Sequence, residues 1–410
     1  MKIIDLFAGA GGLSEGFRRN GTDIVAHVEK DVNASLTLKT REGYYYCLEN
    51  NKMDLYIDYI KGKKSRAEFY RSIPDNILNR VIDMEISDEN YNEIIGRIDT
   101  LLDGSKVSGI IGGPPCQAYS IAGRARDKNK MKNDPRNFLY KFYLRFVEYY
   151  NPQFFLFENV LGLLSAYNGD IFKDIQREMN SLGYDITCNL LDSCDFGVLQ
   201  SRKRVIISGW KNDLKLPHPI FKKERSSYTI NDLFKDLPRL KPGKTGKSYK
   251  SNQSNCLKDL KIRDYNWSVL TYHTARALNS RDAKIYAMYG KVWNNEKRQL
   301  KYNELPIELI THKNLNSFLD RYRIINGKGI SHTIVAHIAK DGHHYIHPDV
   351  KQCRSISVRE AARIQTFPDN YFFESSRTSA FQQIGNAVPP LMADKLCQEL
   401  LKIFSCKEVI

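Results

Sequence analysis

Five short apolar runs, KIIDLF, TDIVAHVE, KVSGIIGG, QFFLFENV and KRVIISGW, alternate with helical patterning through the first half of this chain. Strands that are apolar along their whole length are buried on both faces, and the helices between them supply the crossovers that return the chain to one sheet. The pattern therefore predicts an α/β fold, a parallel sheet covered on both faces. One break is long: residues 41–105 carry YYY, the basic KGKKSR and the amphipathic NEIIGRIDTLL. In that last segment Ile94, Ile95, Ile98, Leu101 and Leu102 share one helical face behind the capping candidates Ser87 and Asp88, and the whole stretch reads as an insertion beside the sheet.

After Trp210 the texture changes to LPHP and LPRLKPGKTGKSYKSNQSN, rich in Lys, Gly, Ser and Pro, which reads as a second lobe with irregular connections. SHTIVAHIAKDGHHYIHP alternates about Asp341-Gly342, a pair suited to a tight hairpin turn. Helical patterning resumes in SVREAARIQTFPD and FQQIGNAVPPLMADKLCQELLKIF. The expected division is 1–210 for the first domain with its insertion, 211–353 for the lobe, and 354–410 as a segment that rejoins the first domain.

Composition narrows the function. No apolar run approaches the roughly 20 residues that span a bilayer, and MKIIDLF starts a strand where a signal peptide would have a long apolar core, so a cytoplasmic protein without a membrane partner is expected. Eight cysteines without a CxxC pair read as reduced thiols. A net charge of +15 favours a polyanionic partner. The histidines of HHYIH, with His332, His337 and Cys353, match no standard zinc spacing, and no metal is expected.

Three constellations carry chemistry. DLFAGAGGLSEGF follows the first strand, and Gly9, Gly11 and Gly12 permit a tight bend and close ligand approach. Glu29, at the end of the second strand, stands where a carboxylate accepts hydrogen bonds from both hydroxyls of a ribose. Nicotinamide dinucleotides and S-adenosylmethionine both carry such a ribose, and the loop does not choose between them. Cys116, in GGPPCQAYS, stands at the exit of the strand read in KVSGIIGG, where open α/β sheets form ligand crevices. QFFLFENV delivers Glu158 to the same edge as a partly desolvated carboxyl group, and QSRKRV is read as a strand with Gln200, Arg202 and Arg204 on one face.

DLFAGAGG, GGPPCQ, ENV, QSRKR, REAARIQTFPD and QIGNAVPP occur together, in this order, in the DNA cytosine 5-methyltransferases, which the chain resembles everywhere except the insertion and the middle lobe. The resemblance implies a Rossmann-like methyltransferase sheet with a smaller, irregular target-recognition lobe, acting on double-stranded DNA with S-adenosylmethionine. It implies that Phe7, Ala8, Gly9, Gly11, Gly12, Leu13, Glu29, Lys30, Asp83, Pro115, Asn386 and Ala387 hold the cofactor. Lys30 replaces an aromatic residue common in relatives, and Asp83 is the expected adenine contact. Cys116 is implied as the nucleophile on cytosine carbon 6, Glu158 as the general acid at ring nitrogen 3, Arg204 as the partner of the base carbonyl, and Arg202 as a group nearer the phosphates. Asn159 is implied as the residue that orients the loop. The target base must leave the duplex, and AYSIAGRARDKNKMKNDPRN reads as a loop that closes over it. Gln117, Ser120, Gly123, Arg124 and Gln200 are expected at the DNA, with Lys244 and Lys247, spaced along a flexible stretch with Lys241 and Lys250, following phosphates. The expected setting is a monomer at the nucleoid of a prokaryotic or virus-infected cell, in company with a restriction endonuclease or as a solitary modification enzyme.

Overall fold

A computed structural model describes residues 1–114 and 139–405. Contacts divide the chain into two compact units, the first made of 1–196, 203–224 and 387–410, the second of 197–202 and 225–386. These boundaries depart from the expected ones. The return to the first unit begins at Ala387 instead of 354, and the segment 197–202 belongs to the second unit.

The first unit holds a seven-stranded sheet in the order β3-β2-β1-β4-β5-β7-β6. Its strands are β1 (Lys2–Leu6), β2 (Asp23–Val28), β3 (Val81–Ile82), β4 (Gly109–Gly112), β5 (Phe154–Asn159), β6 (Tyr184–Asp192) and β7 (Lys203–Lys211). The pairs within β3-β2-β1-β4-β5 are parallel, as the apolar runs require. Beyond β5 the expectation of a parallel sheet is corrected, because β7 runs antiparallel to both β5 and β6. The chain moves outward from β1 through β2 to β3 and then restarts at β4 on the other side of β1, so the carboxyl ends of β1 and β4 flank a topological switch point.

The insertion is shorter than expected. β3 belongs to the sheet, and α6 (Tyr91–Leu102) buries Ile94, Ile95, Ile98 and Leu102 in the main core. Ser87 and Asp88 do not cap it in the expected way: the cap position is Asn90, and Asp88 pairs with Arg145. Between β2 and β3 lie α2 (Val32–Glu49), α3 (Met53–Ile60), α4 (Arg66–Arg71) and α5 (Asp75–Leu78). Here the ring of Tyr59 stacks on Phe69, and Tyr44 meets Tyr56 edge-on, a small satellite core that accounts for part of the YYY run. The C-terminal helix Pro390–Ser405 lies on α1 (Gly12–Arg18), so closely that a Cβ on Gly16 would come 2.4 Å from that of Ala393.

In the second unit, the helix Ser280–Glu296 buries Ile285, Tyr286 and Tyr289 against Tyr302, Tyr322, Ile324 and Ile346. The helix Val358–Ile364 is buried although it carries charge: Arg363 bonds Asp236 and Asp369, and Arg354 forks onto Glu360. The expected hairpin about Asp341-Gly342 does not form. Gly342 does turn at φ +76°, but its flanks are the 3-10 turns Ala336–Ala339 and His343–Tyr345, and Ile346 pairs with Ile324 and Ser355. The lysine stretch 241–250 is also more ordered than expected, since Gly243, Lys244 and Gly246 exchange backbone hydrogen bonds with 273–276, leaving Lys241, Lys244, Lys247 and Lys250 exposed. This unit contains 28 Lys and Arg against 14 Asp and Glu, a net +14, which leaves +1 for the first.

Candidate active site

The glycine loop leaves β1 through Phe7, whose φ is +57°, and Ala8 donates its N–H to Val28 at 3.1 Å. Gly11 precedes α1 in the left-handed conformation, φ +75°, which glycine adopts freely. At Gly12 the constraint is space: a Cβ would stand 2.2 Å from the carbonyl of Val388 and 3.2 Å from the Cβ of Ala387. Ala387 and Val388 thus close on the loop from the C-terminal return, while Leu13 is buried behind it. Asn386 ends the helix Arg377–Asn386 in the second unit, its side chain exposed and its carbonyl 3.4 Å from Arg202.

Glu29 leaves β2 beside this loop. One carboxylate oxygen accepts the Gly9 N–H at 2.7 Å and the other accepts that of Asp31 at 2.8 Å. Burial pushes its carboxyl upward from the ordinary range, against the pull of those N–H groups. Each oxygen keeps a lone pair for a ribose hydroxyl, and a Cβ on Gly9 would meet nothing within 4 Å, so the loop and the carboxylate fit an adenosine-bearing cofactor. Lys30 pairs with Glu85 at 2.8 Å, and Asp83, just past β3, lies 3.6 Å from Lys39.

A network that the motifs did not announce stands behind the loop. Arg41 of α2 grips Glu15 of α1 through two hydrogen bonds of 2.8 and 2.7 Å, and Tyr45 adds a third. Burial alone would raise the Glu15 carboxyl, but Arg41 and Arg19 outweigh it and hold it down at about 2. His27 lies 3.5 Å from Asp5 and 3.4 Å from Glu42, which also pairs with Arg18. Burial would push His27 down, yet its two carboxylate neighbours leave it raised. Asp5 and His27 are register partners on β1 and β2. Two polar residues interrupting adjacent apolar runs were the signal available in the sequence.

At the carboxyl end of β5, Glu158 accepts from Arg204 Nε at 2.7 Å, with both side chains largely buried. The register explains the meeting. Glu158 lies opposite Ile206, so Arg204, two residues away, is its diagonal neighbour on the same face. A Cβ on Gly113 would come 2.7 Å from the Glu158 carboxylate and 3.0 Å from the Glu158 carbonyl, so a side chain there would push the carboxylate out of place. Asn159 donates to the carbonyl of Pro114 at 3.2 Å and accepts from the Val160 N–H, which ties the end of β5 to the end of β4.

Gln200 and Arg202 do not share a face with Arg204, which corrects the reading of QSRKR as one strand. β7 begins only at Lys203. Gln200 is fully buried, bonded to Gln365 at 2.7 Å and to the Ile334 N–H at 2.6 Å; Arg202 is 2% exposed and donates to the carbonyls of Ile334 and Gly385. Both are spent inside the second unit, which removes them from direct phosphate contact. Pro115, Cys116, Gln117, Ser120, Gly123 and Arg124 lie outside the described residues. Among the described residues, no group of three His, Cys, Asp or Glu could hold a metal ion, and no helix is long and apolar enough to cross a membrane. Burial holds His332 down at about 3, as a neutral ring stacked on Tyr345.

Comparison with known proteins shows the family. The family model of the C-5 cytosine-specific DNA methylases matches residues 1–64 and 42–402. The type II methyltransferase M.Bpa9945I of Bacillus paralicheniformis is 40% identical over 96% of this chain and 97% of its own length, and M.DdeI of Desulfomicrobium norvegicum is 32% identical over 98% and 88%. Among solved structures, the methyltransferase EhMeth of Entamoeba histolytica shares the fold, with a TM-score of 0.55 at 15% identity over 98% of each chain. The chain belongs to the C-5 cytosine-specific DNA methylases.

Proposed function

We propose that this sequence-specific DNA cytosine-5 methyltransferase works on a cytosine flipped out of duplex DNA, through a transient bond from Cys116 to carbon 6. The observation that carries the reading is the Glu158–Arg204 pair at the carboxyl end of β5, one strand from the end of β4 that leads into Cys116. S-adenosylmethionine, when bound, supplies an electrophilic methyl group. Glu29 and the loop from Phe7 to Leu13 hold its adenosine, with Lys30 and Asp83 at the adenine and Asn386 and Ala387 toward the methionine.

Carbon 5 of cytosine is a poor nucleophile. Addition of the Cys116 thiolate to carbon 6 makes it an enamine carbon, and the charge that develops at ring nitrogen 3 needs a proton. In the pair, Glu158 is an acceptor. One Glu158 oxygen accepts from Arg204 Nε and the other is left for the base: it takes up a proton from solvent and donates it to nitrogen 3, while a further N–H of Arg204 donates to the base carbonyl oxygen. After methyl transfer a base removes the carbon 5 proton and the thiolate leaves.

The proposed setting is that of a type II modification enzyme, a cytoplasmic monomer that marks sites also cut by a restriction endonuclease without having to bind it. The test uses labelled S-adenosylmethionine with duplex DNA and with RNA. Label recovered as 5-methylcytosine in duplex DNA is expected; label in RNA alone, or in neither, overturns the reading. A duplex carrying 5-fluorocytosine at the target should trap the enzyme, because fluorine cannot leave as a proton does. The adduct should map to the peptide of Cys116 and not to Cys188 or Cys194.

A further inference from the structure

Phe318, in the second unit, combines two costs that ordinarily keep a phenylalanine out of a loop. It is 70% exposed, and its backbone is left-handed at φ +54°, a conformation that crowds any residue with a Cβ. The fold gains little from either, since a ring this exposed packs against little and a glycine would take the turn without strain. Strain that stability does not require marks a place kept for function.

The loop that carries it is built to hold one shape. The buried Tyr302 fastens both ends: its N–H donates to the carbonyl of Leu319 at 2.8 Å, and its hydroxyl accepts the N–H groups of Thr311 and His312 at 2.9 and 3.2 Å. Asn314 shapes the tip, accepting from the N–H groups of Asn316 and Ser317 and donating to the Ser317 hydroxyl at 2.7 Å. Lys313 stands exposed before the tip, and Arg321 and Arg323 follow it; Asp320 is the acid among them. The unit that presents this loop carries a net +14. A polyanion is its complementary partner, and an aromatic face on a preset loop is the element that meets bases where lysines meet phosphates.

We propose that Phe318 is a base-contacting residue of this enzyme, held out by the Tyr302-anchored loop to stack on, or wedge against, the bases of the target duplex. The inference rests on the reading of the chain as a DNA methyltransferase and adds the residue through which its basic unit touches bases. Such a contact differs from a phosphate contact in one measurable way: its loss weakens binding without changing the salt dependence.

The experiment titrates the full-length enzyme against a short fluorescein-labelled duplex bearing the site that the wild type methylates, over a range of salt. Phe318→Ala should weaken binding by about tenfold or more. The salt slope and the affinity for S-adenosylmethionine, measured by calorimetry, should stay as in the wild type, and Phe318→Trp should restore duplex binding. Phe318→Gly should weaken binding as alanine does while its melting temperature holds or rises, because the strain is gone. Tyr302→Phe, which removes the acceptor for two N–H groups but keeps the ring, should lose part of the affinity. Binding within twofold of wild type for both Phe318→Ala and Phe318→Gly, in an enzyme that still methylates the duplex, overturns this inference alone. A wild type that neither binds nor methylates duplex DNA overturns the functional reading and this inference with it.

Discussion

In the proposed reaction the pair formed by Glu158 and Arg204 joins base recognition to proton supply, one carboxylate oxygen held by Arg204 Nε and the other left to serve the cytosine. Glu158→Gln keeps the shape and a hydrogen bond to Arg204 but carries no acidic proton. Turnover should fall about a hundredfold to ten-thousandfold with duplex and cofactor binding retained, and single-turnover methylation kinetics would measure it. Arg204→Lys is not a conservative change. Its single ammonium cannot replace the planar fork, so turnover should drop by about tenfold or more while calorimetric affinity for S-adenosylmethionine is unaltered. The sequence made Glu158 legible because an acidic residue ending a run of four apolar residues in five has few structural reasons to be there. It did not make Arg202 legible: in QSRKR a buried structural arginine and a functional one look alike until the start of β7 is fixed at Lys203.

Among the elements, α1 carries the glycine loop, and its position depends on buried charge. Glu15 and Glu42 are both held down at about 2 against the upward push of burial, Glu15 by Arg41 and Arg19, and Glu42 by His27 first and then Arg18. A carboxyl depressed in the folded state contributes stability that is present above its unfolded value of 4.5 and lost as pH falls toward 2. Each contributes on the order of 3 kcal/mol at neutral pH by this count. His27 runs the other way: its raised value means a contribution that is full below pH 6.5 and fades as pH rises through the folded value. Thermal melting should therefore show a broad loss of stability from about pH 4.5 downward. Arg41→Met, which strands Glu15 without its fork, should lower the melting point at pH 7 more than at pH 3. The elements that could be read in advance were those buried on both faces, because β1, β4 and β5 each hold a core of consecutive apolar residues. β6 was missed because much of it is exposed and half polar, β3 because it has two residues, and the reversed direction of β7 because a strand's pattern records burial and not direction.

For the whole molecule, the division of charge assigns the two units different work. The first has the strand ends at which the cofactor and the reacting base are proposed to bind, and its net charge is +1; the second has +14 and the exposed lysines of 241–250. Specificity should therefore travel with the second unit, provided that the exchanged piece is a whole one. An exchange of 211–353 for the corresponding lobe of a relative cuts that unit just before Arg354, which bonds Gln352 on one side of the cut and Glu360 on the other, and leaves Gln200 and Arg202 facing foreign partners at Ile334. Such a hybrid loses buried hydrogen bonds to charged groups and should be poorly soluble or melt well below either parent. An exchange of 197–202 together with 225–386 keeps every one of these bonds within the transplanted piece. It should yield a soluble enzyme that methylates the relative's sequence, read by sequencing converted DNA, with the affinity for S-adenosylmethionine of the recipient. If that hybrid is active and still methylates the recipient's sequence, the bases are read by the first unit, and the charge of the second serves only to hold the phosphates.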